Sequence, residues 1–287
     1  AESLRNKKNA IDHLSVHAIL ADGVLRTEPL NFGIGGGGVE SRLRVDAREA
    51  KAVVDADFLV KRVDVRQLFK GSALVQKSAG LIGGRAQLKG TGNSVADLLA
   101  TADGTFGIAM SGGRVDTLLN ELAELDMVET LRALFQRGKT VELRCAVADL
   151  AVRDGVLHSR NTVVDTTETN IKIDGDVNLR DESLDLTLHP LPKNFTPMSL
   201  RSPLHLRGSL KHPSVRPDEK LIARGAIAAA LGALAAPVAA LVPLIDNGPG
   251  DNAHCDELIA AMQQHAGAAA PPETPAADKQ APATDRK

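Results

Sequence analysis

The sequence has no tryptophan, no tyrosine and only 6 phenylalanines among its 287 residues. Stacking platforms for nucleobases and aromatic cages for sugars or quaternary amines depend on those side chains, so the composition argues against both. Cysteine is scarce as well, and the 2 present, Cys145 and Cys255, are too few for a thiolate zinc cluster. Neither sign of charge is in excess. With 34 Lys and Arg against 36 Asp and Glu the formal charge is -2, which leaves no chain-wide basic footprint, and nucleic acid is not an expected partner. The motifs of two common catalytic sites are missing too, since there is no HExxH and no GxSxG. The segment from Ala1 is polar (Glu2, Arg5, Lys7, Lys8), with no apolar core of signal-peptide length, and reads as the start of a fragment or processed chain. At this length the chain holds one large domain or two ordinary ones and can bury a core without a disulfide scaffold.

What the sequence does contain is alternation. Val39, Ser41, Leu43 and Val45 point one way, and Glu40, Arg42, Arg44 and Asp46 the other. Ala52, Val54, Ala56, Phe58 and Val60 repeat the pattern, as do Val141, Leu143, Cys145 and Val147, then Leu184, Leu186 and Leu188, then Leu204 and Leu206. A two-residue period marks strands with one apolar and one wet face, which antiparallel meanders permit and buried parallel sheets do not. Asp22-Gly23, Asp103-Gly104, Asp154-Gly155 and Asp174-Gly175 fall between such runs and read as hairpin turns, because Asp-Gly supplies positive φ angles. The first three share similar flanks, a weak and irregular repeat of one hairpin unit.

Helical spacing is confined to a few segments. Residues 94–101 open with Ser94 as a candidate N-cap, and Val115 to Phe135 carries leucines at helical spacing before a stop at Gly138. Asp218 to Ala236 and Asp256 to His265 are the other two. The chain therefore divides into a hairpin-repeat part (1–110), a helical insertion (111–139), further strands (140–218), an Ala-rich helical region (219–265) and a disordered tail (266–287).

The remaining motifs favour structural readings. Gly33 to Gly38 matches GxGxxG formally, but the alternating run from Val39 makes it a hairpin connection rather than the mouth of a dinucleotide-binding helix. His13 and His17 sit in an apparent strand, too far apart to hold one ion unaided. Ser78 and Ser111 read as loop serines. Leu221 to Ile245 is long enough to span a bilayer, yet Arg224, Pro237, Pro243 and its alanines favour a helix packed on the sheet. No enzyme, cofactor or metal signal rises above background. Roughly ten strands with about three inward side chains each leave more apolar surface than these helices cover. The sheet must close on itself, pack on a second sheet, or leave a trough for something else to fill.

Several stretches, taken in order, resemble the C-terminal region of the AsmA family. They include Leu184 to Pro190, Pro192-Lys193, Ser199 to Pro203, Leu204 to Gly208 and Pro213 to Val215. Arg144 to Asp149, Arg153 to Val156, Pro243 to Ile245 with Asp256 after Cys255, and the unit from Asp22-Gly23 to Asp46 are similar to the family as well. The resemblance covers roughly residues 10 to 262. It implies a Gram-negative cell-envelope protein with a β-rich periplasmic body and an inner-membrane helix, the latter expected in a part missing from this chain. It implies a role in outer-membrane assembly and, for TamB-like relatives, phospholipid passage along a hydrophobic β groove.

The expected architecture is a mainly β (α+β) fold: a curved antiparallel sheet of many short strands forming a hydrophobic groove or half-barrel, with a few packed helices. The expected ligand is phospholipid or another acyl-chain molecule. Leu43, Val45, Val54, Phe58, Phe106, Ile108, Leu143, Val147, Ile171, Ile173, Leu184, Leu186, Leu204 and Leu206 are the candidate lining. Residues of this type in alternating runs are more often plain core, and that reading stands beside the lining one. The alternative is an interaction domain that assists outer-membrane protein assembly through envelope-protein partners. The periplasm permits a Cys145–Cys255 disulfide, but Cys145 also lies in line with Leu143 and Val147, as a small core residue would.

Overall fold

The structure, a computed structural model, describes residues 3–5, 10–68, 79–115, 141–193, 203–218 and 250–267. Among the described residues, thirteen strands form one sheet in which sequence order is also spatial order. They are β1 (Ser3–Arg5), β2 (Ala10–Ala21), β3 (Val24–Ile34), β4 (Gly37–Asp46), β5 (Ala52–Asp64), β6 (Ala79–Gly92) and β7 (Asp103–Val115). They continue with β8 (Val141–Arg153), β9 (Val156–Thr166), β10 (Thr169–Asn178), β11 (Ser183–Pro192), β12 (Leu204–Ser209) and β13 (Pro213–Pro217). Every pairing is antiparallel, and β1 and β13 are the two edges of a sheet that does not close. This is the meander that one-sided alternation predicts. The strands are longer than expected: β6 has 14 residues and β5, β7 and β8 have 13 each, against a usual five or six.

The two-residue hairpins have the backbone that matches strand twist, with φ positive at both central residues. Asp22 and Gly23 stand at +49° and +75°, Gly35 and Gly36 at +56° and +72°, and Asp154 and Gly155 at +47° and +76°. The Gly33–Gly38 run is thus a hairpin with β4 behind it. Two of the four Asp-Gly pairs are not turns. Asp103-Gly104 begins β7, entered from a helix, and Gly104 has no room for a side chain against the Gln87 carbonyl. Asp174-Gly175 lies inside β10, where Gly175 at φ +124° accommodates a bulge against β9 while the register with β11 runs on unbroken. Glycine's freedom serves a kink at one and a close backbone approach at the other. Ser111, expected in a loop, is in β7, and His13 and His17 are in β2 as expected.

Three helices are described: α1 (Val65–Leu68), α2 (Val95–Ala100) and α3 (Cys255–Gly267). α2 starts as the sequence suggests, with the Asp97 N–H donating to Ser94 Oγ at 3.1 Å. Thr101 closes it and ties it to β6, its hydroxyl donating to the Thr91 carbonyl at 2.8 Å. Gly90 and Gly92 let α2 approach β6, because a Cβ at either would strike Leu98 or Asp97. α3 covers the expected helix at 256–265 and extends it to Gly267, two residues into the segment read as tail. The helices expected over 115–135 and 218–236, the apolar run 221–245, Ser78 and residues 268–287 lie outside the described residues. No described helix is long and apolar enough to cross a membrane.

Glycines at a hairpin turn and in the strand beside one divide by backbone demand. Gly155 combines φ +76° with a site where a Cβ would lie 2.5 Å from the Ala100 carbonyl oxygen, whereas a Cβ at Gly38 would have nothing within 4 Å. Gly155→Ala is expected to destabilise by more than about 1 kcal/mol, and Gly38→Ala to be neutral or slightly stabilising. Urea midpoints of the two variants test the contrast.

Candidate functional site

Directly paired residues of an antiparallel ladder point to the same face, so register sorts the side chains. Val45 pairs with Leu25 and Val54, Leu43 with Thr27 and Ala56, and Phe58 with Ser41 and Ala86. The row continues from Ala86 to Phe106 and Leu150, and from Gly84 to Ile108 and Ala148. Beyond them Val164 joins Ala146 to Ile171, and Ile173 pairs with Thr162 and Leu188. Leu186 faces Gly175 and Leu206, Leu184 faces Val177, Leu188 faces Leu204, and Leu206 faces Val215. One face is therefore apolar from β3 to β13.

Bulges keep that face in phase along strands long enough to drift. Between Val60 and Val63 β5 carries one residue more than β6, which returns Val63 to the apolar face opposite Ile82. Similar shifts fall at Asp149/Leu150 and at Ile173/Asp176. Ile171 and Leu204 are buried, but Leu43, Val45, Val54, Phe58, Phe106, Ile108, Ile173, Leu184, Leu186 and Leu206 are only half-buried. α2 meets this face at one strand end, over Gly90 and Gly92.

The opposite face is charged. Arg85 donates to Asp57 at 2.9 Å, Lys61 to Glu40 at 2.6 Å, and Arg207 to Asp185 at 2.8 Å. Each is a cross-strand pair at an exposed or half-exposed site, worth little singly. Burial pushes the Asp57 carboxyl up, but hydrogen bonds from Arg85 and Gln87 and the charges of Arg85 and Arg42 outweigh it, leaving Asp57 below the usual carboxylate range. The Arg48 guanidinium holds Asp46 far below that range at the end of β4.

α3 lies on this charged face, over a small apolar island of Ala109, Cys145 and Val147 into which Met262 packs. Along β8 every second residue from Val141 to Ala151 is buried. Cys145 is bonded to Cys255 at the start of α3, with 6.0 Å between their Cα atoms. The other end of α3 is held by His265, whose Nδ1 lies 2.6 Å from Asp149 Oδ2. Asp149 is only 2% exposed and Asp165 is fully buried. Asp165 takes Arg144 Nε at 3.0 Å, Lys193 Nζ at 2.6 Å and the Ala253 N–H at 3.2 Å. Asn170 donates to the Asp251 carbonyl at 3.1 Å, and the Gly250 N–H to the Pro192 carbonyl at 2.8 Å.

The structure therefore gathers the nominated lining residues on one face, except for Leu143 and Val147. These two point to the α3 side in phase with Cys145, and both are buried there. Their hydrophobicity looked the same as that of the others. The acidic position Asp149, two residues after Val147, was the local sign that this row belongs to the wet face. Asp149, Asp165, Lys193 and His265 were not identified from sequence, since nothing in the local pattern announces a buried carboxylate whose partners are distant in the chain. The described residues include no cluster of three or more His, Cys, Asp or Glu able to hold a metal ion.

With this geometry in view, comparison with known proteins is decisive for the family. The sequence model of the AsmA family matches residues 1–162, more than half of the chain. The chain belongs to the AsmA family. It is also similar to the AsmA family protein YhjG of Escherichia coli (strain K12), with 34% identity over 255 residues, or 88% of this chain and 37% of that protein. The chain thus spans little more than a third of this AsmA relative's length. No solved structure matches it.

The disulfide closes a loop across 110 positions. Reduction, or a Cys145→Ser/Cys255→Ser variant, is expected to lower stability by about 2 to 4 kcal/mol, read as a shift in denaturant midpoint with and without reductant. A pH series gives a second expectation. Asp57 has its folded pKa depressed, so its contribution is present above the unfolded carboxylate value near 4 and is lost as pH falls through the lower folded value. Asp57→Asn is expected to flatten the fall of stability with acid below about pH 4, measured by urea melts from pH 6 to pH 2.

Proposed function

We propose that this chain is a non-enzymatic module of an AsmA-type envelope protein that holds phospholipid acyl chains against the apolar face of its open sheet, in a role in outer-membrane biogenesis. The observation that carries this reading is the division of the sheet. The apolar face runs across the strands with most of its large side chains half-buried, while α3, the longest described helix, lies on the charged face. Soluble proteins seldom leave so wide an apolar surface without an occupant. Acyl chains are suited to it because the hydrophobic term is non-directional, about 0.8 kcal/mol per buried methylene, and needs no polar motif. The family membership is consistent with envelope work. The disulfide supports an oxidising compartment, and the periplasm is the one we assign.

A second reading, a docking domain for envelope-protein partners, draws on a different observation. Leu20 (74% exposed), Leu25, Val95, Leu99 and Leu210 are exposed large apolar side chains at or near connections on the same strand end.

The two readings separate at Val45→Asp and Leu186→Asp. Both sites are half-buried members of the apolar row. In a lipid-holding face either variant should cost only about 1 kcal/mol in the lipid-free chain, because water reaches the carboxylate, and co-purified phospholipid should fall. Thermal melts together with lipid extraction and mass spectrometry report both quantities. A wild-type chain free of lipid, with variants that unfold outright, leaves the docking domain as the better account.

A further inference from the structure

Beside the α3 island the charged face is interrupted by apolar residues on β5 and β6. On β5 the outward positions run Asp55, Asp57, Leu59, Lys61, and on β6 they run Lys89, Gln87, Arg85, Gly83, Leu81. Leu59, Gly83 and Leu81 thus replace charge with apolar surface, and Leu81 is left 40% exposed. Against them, across Ala109 of β7, stand Ile259 and Met262 of α3. The space between helix and strands is a cleft of about 460 Å³, within the size of pockets that take small ligands.

Gly83 is the telling residue. Its backbone does not need glycine: φ is not positive, and a Cβ would meet only the Val60 carbonyl oxygen, at 3.6 Å. A side chain there would also favour the strand. The missing side chain therefore serves the cleft, whose floor it lowers, rather than the fold. The mouth is cationic. Lys61 and Arg85 are engaged by Glu40 and Asp57. Arg62 has no ion-pair partner among the described residues, and it is held at φ +53° in the β5 bulge at the edge of the cleft. A bulge that re-aims a strained side chain is a recurrent device beside binding sites.

We propose that this cleft binds an amphiphilic anion with a single unbranched tail, the tail on Gly83 between Leu59 and Met262 and the carboxylate or phosphate at Arg62. The site is on the face opposite the acyl-chain surface proposed above and does not depend on that reading.

The test is calorimetric titration of the 287-residue chain with dodecanoate, dodecyl phosphate and lysophosphatidylglycerol below their micellar concentrations, with dodecanol as the neutral probe. Saturable one-to-one binding of an anion, with dodecanol much weaker, is the expected result. Preference among the three anions identifies the head group as carboxylate, free phosphate ester or lipid head group. Arg62→Ala should weaken binding severalfold, and Gly83→Val should abolish it while leaving the melting temperature equal or higher. Gly83→Ala, which the 3.6 Å clearance admits, should give an intermediate loss and guards against misfolding of the valine variant. Leu186→Asp, on the other face, should leave this binding intact. Absence of binding, equal binding of dodecanol, or unchanged binding by Gly83→Val overturns the proposal. So does a loss confined to Leu186→Asp, which would place the tail on the acyl-chain surface instead.

Discussion

In a β-strand neighbouring side chains point to opposite faces, and antiparallel pairing passes that choice to the next strand without loss. Everything else in this molecule depends on keeping it consistent over thirteen strands in sequence order. A single unrepaired slip would send every later apolar residue of a strand to the charged side. The long strands make such slips costly, and the bulges at Val60/Val63, Asp149/Leu150 and Ile173/Asp176 are where the phase is reset. Local hairpin pairing also means that each strand needs only its sequence neighbour to find its register.

Where charge is buried, it holds α3. Asp149 and Asp165 would each cost several kcal/mol to bury alone. Asp165 is surrounded by Arg144, Lys193 and the Ala253 N–H, and Asp149 by His265 and Arg160. Their partners come from α3, from the segment just before it and from the strands, so neither set is complete unless α3 is seated. The disulfide fixes one end of the helix and the Asp149–His265 contact the other. Met262 fills the island between. Removing one carboxylate partner would strand a buried charge, which is why these contacts act as a unit.

The alternation, the antiparallel meander, the Ser94 cap and the helix at 256–265 were legible in the sequence because each is a local pattern with one dominant cause. The Asp-Gly pairs were legible only in part. Asp22-Gly23 and Asp154-Gly155 are turns, but Asp103-Gly104 and Asp174-Gly175 use the same dipeptide for a strand entry and a bulge, and only the neighbouring strand's register distinguishes them. Leu143 and Val147 are on the α3 side because face assignment is set mainly by which residue pairs with which across strands; hydrophobicity does not decide it, and the one local sign is the acidic Asp149 in the same row. The Cys145–Cys255 bond was open for the same reason, since spacing alone does not bring two cysteines to 6.0 Å. The cleft escaped notice because its signal is a side chain that is absent, at Gly83.

The two faces differ in how they are stabilised, and that difference bears on function. Much of the charged face is satisfied within the sheet: Arg85 pairs with Asp57, Lys61 with Glu40 and Arg207 with Asp185, and an apolar island lies under α3. The apolar face has half-buried leucines, valines and phenylalanines, each holding part of its surface in water at about 25 cal/mol per Å². Anything that covers this face binds the folded sheet and not the unfolded chain, so occupancy and stability are thermodynamically linked. The linkage is broad, because a non-directional contact spread over many strands has no single residue on which it turns. A surface of this kind tolerates conservative apolar exchange and is sensitive to charge. That accounts for a sequence rich in alternating Leu, Val and Ile and poor in catalytic motifs.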